Sequence, residues 1–379
     1  MRYRVCFSYK VQYEYLLKST EQAILELLMT KKNSTIGILL TAIGILAILV
    51  FRNKSVLLTE NKLALTTPTE TNTLVASPPF PFQELTIPYL RTQQFESQLA
   101  ELELVSTTNE YETYTTSYES DDLTINGLLT IPAGPEPERG WPAIVFIHGY
   151  IPPTEYKTQE KYVAYVDFLA RNKFVVFKID LRGHGESEGE PSGAYYSADY
   201  IVDTLNAYAA LESATFVDAS RIGLWGHSMG GNVVLRTMAI KPEIPAGVIW
   251  AGAVYSYTDF QEYGIADQSY QRPSTNSPRT QKRQKLFDTH GEFDPKNEFW
   301  QQVVATNYLD DLQGAVQLHH SVTDSVVDIA YSRNLKQLLE KSKVPHELHE
   351  YAQGGHNIEA AAFNTAMTRT VSFFGKYLQ

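Results

Sequence analysis

The sequence predicts a domain of the α/β class, in which helices flank a mostly parallel sheet. From Pro142 onwards, short apolar runs such as AIVFIHG, FVVFKID and AGVIWAGAV alternate with stretches of helical pattern. Strands that are apolar almost throughout are typical of parallel sheets covered on both faces. The chain of 379 residues is 43% hydrophobic and 20% charged, so it can bury the core that such a sheet needs.

The first element is an uncharged apolar run over residues 34–51, STIGILLTAIGILAILVF. A helix of this length nearly matches the ~30 Å hydrocarbon core of a bilayer, so we expect a transmembrane anchor. More basic residues precede the run than follow it, which favours a cytoplasmic segment over 1–33 and a single-pass protein whose catalytic part is extracytoplasmic. A cleaved signal peptide or a buried core helix is the alternative, and Met29 is an alternative start. Basic rather than small residues follow the run, which argues against cleavage.

Residues 52–88 are rich in Thr, Pro, Glu and Asn, a composition typical of a flexible linker. This leaves 89–379 as the folded domain. At its start, YLRTQQFESQLAELELV predicts a short helix, and the alternating segments YETYTTSYES and LTINGLLTIP predict antiparallel strands. The pair Asn126-Gly127 marks a turn or a bulge.

The parallel strands are predicted from six apolar runs, AIVFIHG, FVVFKID, RIGLWGHS, AGVIWAGAV, AVQLHH and HELHEY. Helices are expected between or after them, over 162–172, 198–211, 232–239, 329–341 and 358–377. Residues 255–308 break this alternation with many aromatic and basic side chains. Because a loop this long is usually functional, we expect an inserted cap; a disordered excursion is the alternative.

Several classes of function are disfavoured by the composition. A net charge of -11 opposes nucleic-acid binding, which needs a basic surface. The single cysteine, Cys6, forms no intrachain disulfide and lies in no cysteine-centred motif. His346 and His349 are three apart in a predicted strand and therefore point to opposite faces, and no H-E-x-x-H, P-loop or G-x-G-x-x-G occurs. We expect neither a metal nor a cofactor.

Ser228 is the candidate nucleophile. It lies in Gly226-His227-Ser228-Met229-Gly230, where an apolar strand gives way to a helical pattern. A sharp strand-to-helix turn strains its central residue, and glycines two positions away allow the backbone segments to approach each other. The alternative is that the glycines mark a turn and nothing more.

A serine hydroxyl needs a base and a group that orients the base. Asp324 follows the strand AVQLHH, and His356 follows the strand HELHEY after Gly354 and Gly355. The chain order Ser, Asp, His is the one found in hydrolases with this kind of turn. Each residue alone also fits a helix cap.

Two main-chain N–H groups are candidates for the oxyanion hole. Met229 directly follows the nucleophile at a helix start, and Tyr150 lies in the loop after AIVFIHG. His148 and Gly149 would shape that loop, and His148 is not assigned as a base.

The segments FIHGY, KIDLRGHGESEG, GLWGHSMGG, HHSVTDSVV and GGHN resemble the α/β-hydrolase superfamily. The resemblance covers roughly residues 110–379 and is strongest to dienelactone-hydrolase-like esterases and the catalytic domains of prolyl-oligopeptidase-type peptidases. It implies the α/β-hydrolase fold, with Ser228 as nucleophile, Asp324 as acid and His356 as base. Relatives often have H-G-x-x-D where this chain has His320-Ser321-Val322-Thr323-Asp324, so the turn before the acid lacks its glycine. In DLRGHGES, Asp180, Arg182 and His184 are expected to be structural.

These observations predict a membrane-tethered serine hydrolase that cleaves small acyl esters through a covalent acyl-enzyme. A serine peptidase of the prolyl-oligopeptidase-like type, acting on short peptides, is the alternative, because a triad does not distinguish an amide from an ester. About a hundred residues separate the apolar run from the domain core, too few for a propeller. A hydrolase-like fold kept as a binding module is a third reading.

Overall fold

The computed structural model describes residues 79–379, and a sheet of nine strands runs through the centre of this part of the chain. In chain order the strands are β1 (Glu103–Thr107), β2 (Tyr111–Ser120), β3 (Leu123–Pro132), β4 (Trp141–Ile147), β5 (Val175–Ile179), β6 (Val217–His227), β7 (Ala246–Trp250), β8 (Ala315–Ser321) and β9 (His346–Tyr351). Across the sheet the order is β1-β2-β3-β5-β4-β6-β7-β8-β9. The pairs from β1 to β5 in this order are antiparallel, and the remaining pairs are parallel.

Helices cover both faces of the parallel strands. The α-helices are α1 (Ile87–Arg91), α2 (Val163–Arg171), α3 (Asp199–Glu212), α4 (Met229–Ile240), α5 (Tyr257–Tyr263), α6 (Pro278–His290), α7 (Glu298–Val303), α8 (Ala330–Leu339) and α9 (Ala361–Tyr377). Buried side chains of α2 and α9 form one core with the sheet, and those of α3, α4 and α8 form the other. The strands β4, β5 and β7 are buried at every residue, as expected for strands packed on both sides. The predicted mostly parallel sheet with flanking helices is confirmed.

The prediction of a turn or bulge at Asn126-Gly127 is wrong. The turn between β2 and β3 is made by Asp121 and Asp122, which both have positive φ, 52° and 63°. Gly127 lies inside β3, where a Cβ atom would stand 2.6 Å from the ring of Phe177 and 2.8 Å from the carbonyl oxygen of Lys178. The glycine therefore permits a close approach between β3 and β5, a long-range requirement that is invisible in the local sequence.

The packed domain begins before residue 89, so the predicted linker over 52–88 is too long at its end. A 3-10 helix, Gln83–Leu85, and α1 precede the sheet, and Leu85 and Ile87 are buried in the core. The helix predicted from YLRTQQFESQLAELELV is also wrong, since α1 ends at Arg91 and residues 94–102 form neither helix nor strand. Thr86 and Pro88 interrupt the apolar pattern of this segment, so the sequence gives no clear sign of a helix there. The short helix α1 is stabilised by packing onto α4.

The insertion predicted over about 255–308 lies between β7 and β8. It folds into α5, α6, α7 and a 3-10 helix, Ala305–Asp311, and it buries Trp300 completely. His290 stacks on Phe299 with ring centroids 3.7 Å apart. We call residues 251–314 the cap.

The predicted membrane span over 34–51 and the segment over 1–33 lie outside the described residues. Within residues 79–379, no helix combines the length and the apolar character that crossing a bilayer requires.

Candidate active site

Ser228 stands on a strained turn between β6 and α4. Its backbone has φ 53° and ψ -116°, a conformation that costs of order 1–3 kcal/mol for a residue with a side chain. The backbone around the turn is closely packed, because a Cβ at Gly226 would lie 2.5 Å from the carbonyl oxygen of Gly230. The N–H of Ser228 also donates to the carbonyl oxygen of Trp250 at 2.8 Å. Strain held by packing at one polar residue is typical of a functional position.

Asp324 and His356 form a direct hydrogen bond. Nδ1 of His356 lies 2.8 Å from Oδ2 of Asp324, whose side chain is fully buried. The other carboxylate oxygen, Oδ1, accepts the main-chain N–H groups of Val326 and Val327 at 2.8 and 3.0 Å. Burial alone would raise the pKa of Asp324, but hydrogen bonds from His320 and His356 outweigh it and hold this pKa well below its usual range. Asp324 is therefore a carboxylate across the neutral range and orients the imidazole.

His320 contacts the acid, a role that was not predicted from the sequence. Its Nε2 lies 3.2 Å from Oδ2 of Asp324 and 3.0 Å from the carbonyl oxygen of Val327. Two acceptors at one nitrogen require that Nε2 carry the proton, and Nδ1 then accepts from the hydroxyl of Ser332 at 2.8 Å. His320 is the histidine of the H-x-x-x-D segment, so the signal was present in that motif. Its contact with the carboxylate fixes Asp324 in a turn that lacks the usual glycine.

Ser228 and His356 line one cavity of about 660 Å³. Among the described residues, the hydroxyl of Ser228 makes no hydrogen bond with the imidazole of His356. In structures without substrate this contact is often long and tightens only when substrate binds. The fold thus brings all three predicted residues to the carboxyl ends of β6, β8 and β9, with the serine and the histidine facing the same space.

The two predicted oxyanion donors occupy the expected elements. Met229 is the first residue of α4, and Tyr150 follows β4. In the part of the chain that the structure covers, the N–H of Tyr150 donates no main-chain hydrogen bond, and Tyr150 lines the cavity. The side chain of Tyr150 reaches the cap, where its hydroxyl accepts the N–H of Gln271 at 3.0 Å and its ring meets Tyr270 edge-on at 5.3 Å.

The cavity wall is mixed in character. Aromatic and aliphatic side chains form much of it, and three charged side chains also line it: Lys161, Asp267 and Glu359. Asp267 and Ser269 come from the cap, so the insertion contributes directly to the site. Across residues 79–379, no group of three or more histidine, cysteine, aspartate or glutamate side chains is arranged to hold a metal ion.

The residues of DLRGHGES form buried polar contacts outside the cavity lining. Arg182 pairs with the buried Asp203 at 2.6 Å, and Asp180 accepts the hydroxyl of Tyr156 at 2.6 Å. These contacts fit the expectation that Asp180 and Arg182 are structural; the structural role expected of His184 stays a prediction.

The chain is similar to proteins described as esterases or peptidases. A family model described as serine aminopeptidase, S33, matches residues 141–280. The putative esterase YitV of Bacillus subtilis (strain 168) is 25% identical over 68% of this chain and 98% of its own length. The uncharacterized peptidase YtmA of the same organism is 24% identical over 64% of this chain and 85% of its own length.

Other relatives are larger than the matched region. A serine hydrolase-like protein of Danio rerio is 34% identical over 21% of this chain, and the match spans only 23% of that protein. Among solved structures, an acetyl xylan esterase from Paenibacillus sp. R4 superposes with a TM-score of 0.55 at 18% identity, covering 76% of this chain and 91% of its own.

The dipeptidyl peptidase 4 of Porphyromonas gingivalis superposes with a TM-score of 0.51 at 20% identity, covering 71% of this chain and 36% of its own. These likenesses show the fold, and the curated relatives include both esterases and peptidases. Together the family model and the curated relatives support an enzyme of the serine hydrolase class with a fold like that of the α/β-hydrolases.

Proposed function

We propose that this enzyme hydrolyses acyl esters through a covalent acyl-enzyme on Ser228. The observation that carries the proposal is the buried Asp324–His356 hydrogen bond beside a cavity that also exposes the strained Ser228. A serine on such a turn, with an oriented imidazole at the same cavity, is the arrangement that nucleophilic acyl transfer requires.

In the proposed reaction His356 takes the proton of the Ser228 hydroxyl as the oxygen attacks the ester carbonyl. The main-chain N–H groups of Met229 and Tyr150 stabilise the resulting oxyanion. His356 then gives its proton to the leaving alcohol. Water, deprotonated by the same imidazole, attacks the acyl-enzyme and releases the acid, which restores the free serine. Asp324 stabilises the imidazolium in both steps without taking its proton.

The cavity supports a small substrate. A volume of about 660 Å³ accommodates a drug-sized molecule, and its aromatic and aliphatic wall suits a short acyl chain. A second candidate, a peptidase for short peptides, is favoured by one specific feature. The carboxylates of Asp267 and Glu359 line the same cavity and would attract a free amino terminus.

Substitution of the nucleophile tests the proposal. We expect the folded wild-type protein to be labelled covalently by a fluorophosphonate probe and Ser228→Ala to show no labelling, because the probe needs the activated hydroxyl. Absence of labelling in folded wild-type protein would overturn the proposal and favour a binding module.

Substrate class is measured separately. A panel of p-nitrophenyl esters of rising chain length is compared with aminoacyl-naphthylamides at equal concentrations. We expect higher kcat/KM for the short esters. A preference for the naphthylamides, reduced by Asp267→Asn or Glu359→Gln, would instead establish the peptidase.

We also propose that residues 34–51 anchor the enzyme in a membrane with its catalytic domain extracytoplasmic. Support comes from the uncharged apolar run and the basic residues before it. The full chain should remain with membranes after alkaline carbonate extraction, and the double variant Ile43→Arg/Leu46→Arg should not. Equal extraction of both chains would contradict the anchor.

A further inference from the structure

A chain of three hydrogen bonds runs through the wall of the cavity, where Tyr162 and His227 are lining residues. The main-chain N–H of Gly149 donates to the hydroxyl of Tyr162 at 2.8 Å. That hydroxyl lies 2.8 Å from Nδ1 of His227, and Nε2 of His227 lies 3.0 Å from the main-chain oxygen of His356. The chain therefore begins in the loop after β4 and ends on the backbone of the proposed base.

The direction of each hydrogen bond follows from the protonation of its members. Burial, with a further contribution from the nearby His356, lowers the pKa of His227 to about 3, so its ring is neutral and carries one proton. Nε2 faces a carbonyl oxygen, which only accepts, so the proton is on Nε2. Nδ1 is then an acceptor, and Tyr162, whose pKa is raised by burial, donates to it. If a donor and an acceptor in this series were exchanged, two lone pairs would face each other at one of the contacts.

Three members of this hydrogen-bond chain are, or directly precede, residues of the proposed catalytic machinery. Gly149 precedes Tyr150, whose N–H is the second oxyanion donor; His227 precedes Ser228; and the acceptor at the far end belongs to His356. A Cβ at Gly149 would lie 3.0 Å from both Nδ1 of His227 and the hydroxyl of Tyr162, so the loop packs directly onto the pair.

The backbone at these positions is strained. Tyr162 has φ 60° at the start of α2, and Ile358 and Ala360 have φ 51° and 56° in the loop that follows His356. Such conformations persist only where side-chain contacts overdetermine them. At Tyr162 itself, the hydrogen bonds that its hydroxyl makes with Gly149 and His227 are contacts of that kind.

We propose that Tyr162 and His227 are positioning residues that hold the oxyanion loop and the base in register with Ser228. This inference rests on the proposed triad and extends it to two residues of the cavity wall that act through the oxyanion loop and the base. These hydrogen bonds hold the Tyr150 N–H and the His356 backbone in fixed positions relative to Ser228. Loss of Tyr162 or His227 therefore displaces the oxyanion donor and the base together.

The test is Tyr162→Phe, which removes one hydroxyl and keeps the ring. We expect kcat for a short p-nitrophenyl ester to fall about 10- to 100-fold with KM changed less than twofold, because an error of about 1 Å in alignment affects the transition state more than the bound substrate. The inhibition constant of a boronic acid, which mimics the tetrahedral intermediate, should rise by the same factor as kcat falls.

The matched control is Tyr118→Phe. Its hydroxyl is buried and donates to the main-chain oxygen of Asp203 at 2.9 Å, outside the site. This variant loses a comparable hydrogen bond, so it should lose stability while keeping wild-type kcat and boronate inhibition. Equal effects of the two substitutions on kcat would reduce Tyr162 to a structural role and overturn the inference.

His227 allows a test by conservative rescue. Gln at this position keeps an N–H donor near the place of Nε2, whereas Leu keeps only similar bulk. We expect His227→Gln to retain at least ten times the kcat of His227→Leu. Equal losses in both variants, at equal folded fraction by circular dichroism, would contradict the assigned hydrogen bond to the His356 carbonyl.

The outcome also separates this inference from the proposed function. Wild-type turnover and Ser228 labelling with unchanged Tyr162→Phe kinetics overturn the positioning role alone. Absence of turnover and labelling in the wild-type protein overturns the triad and the positioning role together.

Discussion

At the scale of single residues, the proposed triad depends on contacts around its acid. Ser228, Asp324 and His356 each follow the carboxyl end of a parallel strand, where open α/β sheets collect ligand-binding groups. The position of Asp324 at a strand end does not by itself orient its carboxylate towards His356, however. Oδ2 of Asp324 meets both His356 and His320, and Oδ1 meets two main-chain N–H groups, so every strong acceptor position is occupied. The ionised form of the acid is thereby stabilised in a fully buried place.

The lowered pKa of Asp324 predicts that the free energy of unfolding decreases in acid. In the unfolded chain an aspartate has a pKa of about 3.9, and the pKa of Asp324 in the folded protein lies well below this. The stabilisation is therefore complete above the unfolded pKa and is lost as the pH falls towards the folded one. We expect the part of the difference in free energy of unfolding between wild type and Asp324→Asn that comes from the ionised carboxylate to be present above about pH 4 and to shrink as the pH falls below it. Urea unfolding at each pH measures it, and a difference independent of pH would contradict the assigned ionisation.

At the scale of elements, the turn from β6 into α4 is built on backbone contacts. Gly226 meets the backbone of Gly230, and a Cβ at Gly230 would lie 2.6 Å from the carbonyl oxygen of Ile147 in β4. Neither neighbour is a flexible side chain that can move aside. The two glycines of the G-x-S-x-G motif therefore serve the packing of three elements as well as the turn itself.

Gly226→Ala should consequently damage both stability and activity. We expect a loss of about 1–3 kcal/mol in the free energy of unfolding from overpacking, together with a fall in kcat as the serine shifts. The matched control is Gly375→Ala in α9, where nothing lies within 4 Å of the added methyl group. That substitution should stabilise the protein by about 0.5–1 kcal/mol and leave kcat unchanged. If the two variants have the same stability and activity, the turn does not depend on this close contact.

At the scale of the whole molecule, the sequence predicted what is periodic and ordered along the chain. Apolar runs such as AIVFIHG identified the parallel strands, and the order of Ser228, Asp324 and His356 identified candidates that the fold brings to one edge. Contacts between distant segments were missed, because nothing local marks them. Tyr162 and His227 meet across 65 positions of sequence, and Gly127 is needed because Phe177 and the carbonyl oxygen of Lys178 pack against it.

The segment before the sheet is a further long-range feature, and Arg91 is one of its polar attachments, beside the hydrogen bond from the buried Arg236 to the carbonyl oxygen of Leu85 at 2.8 Å. The guanidinium of Arg91 donates two hydrogen bonds, at 2.8 and 2.6 Å, to the main-chain oxygen of Ala239 near the end of α4, where the helix dipole favours a cation. It also pairs with Asp311 at 2.8 Å and lies over the ring of Tyr308 at 5.0 Å, both beyond α7. One side chain therefore joins the N-terminal segment, the helix that follows the nucleophile, and the end of the cap.

Arg91→Met keeps the aliphatic bulk and removes these polar contacts. We expect it to lower the free energy of unfolding by about 1.5–3 kcal/mol, the range for hydrogen bonds to charged groups, while kcat/KM for a short ester stays within twofold of wild type. Arg333→Met is the matched control, since the Arg333–Glu350 pair is exposed and such pairs contribute about 0–1 kcal/mol. Urea unfolding compares the two variants. Equal small losses would mean that the polar contacts of Arg91 contribute no more than an exposed ion pair, whereas a larger loss for Arg91→Met establishes the arginine as a polar tie between the segment and the catalytic domain.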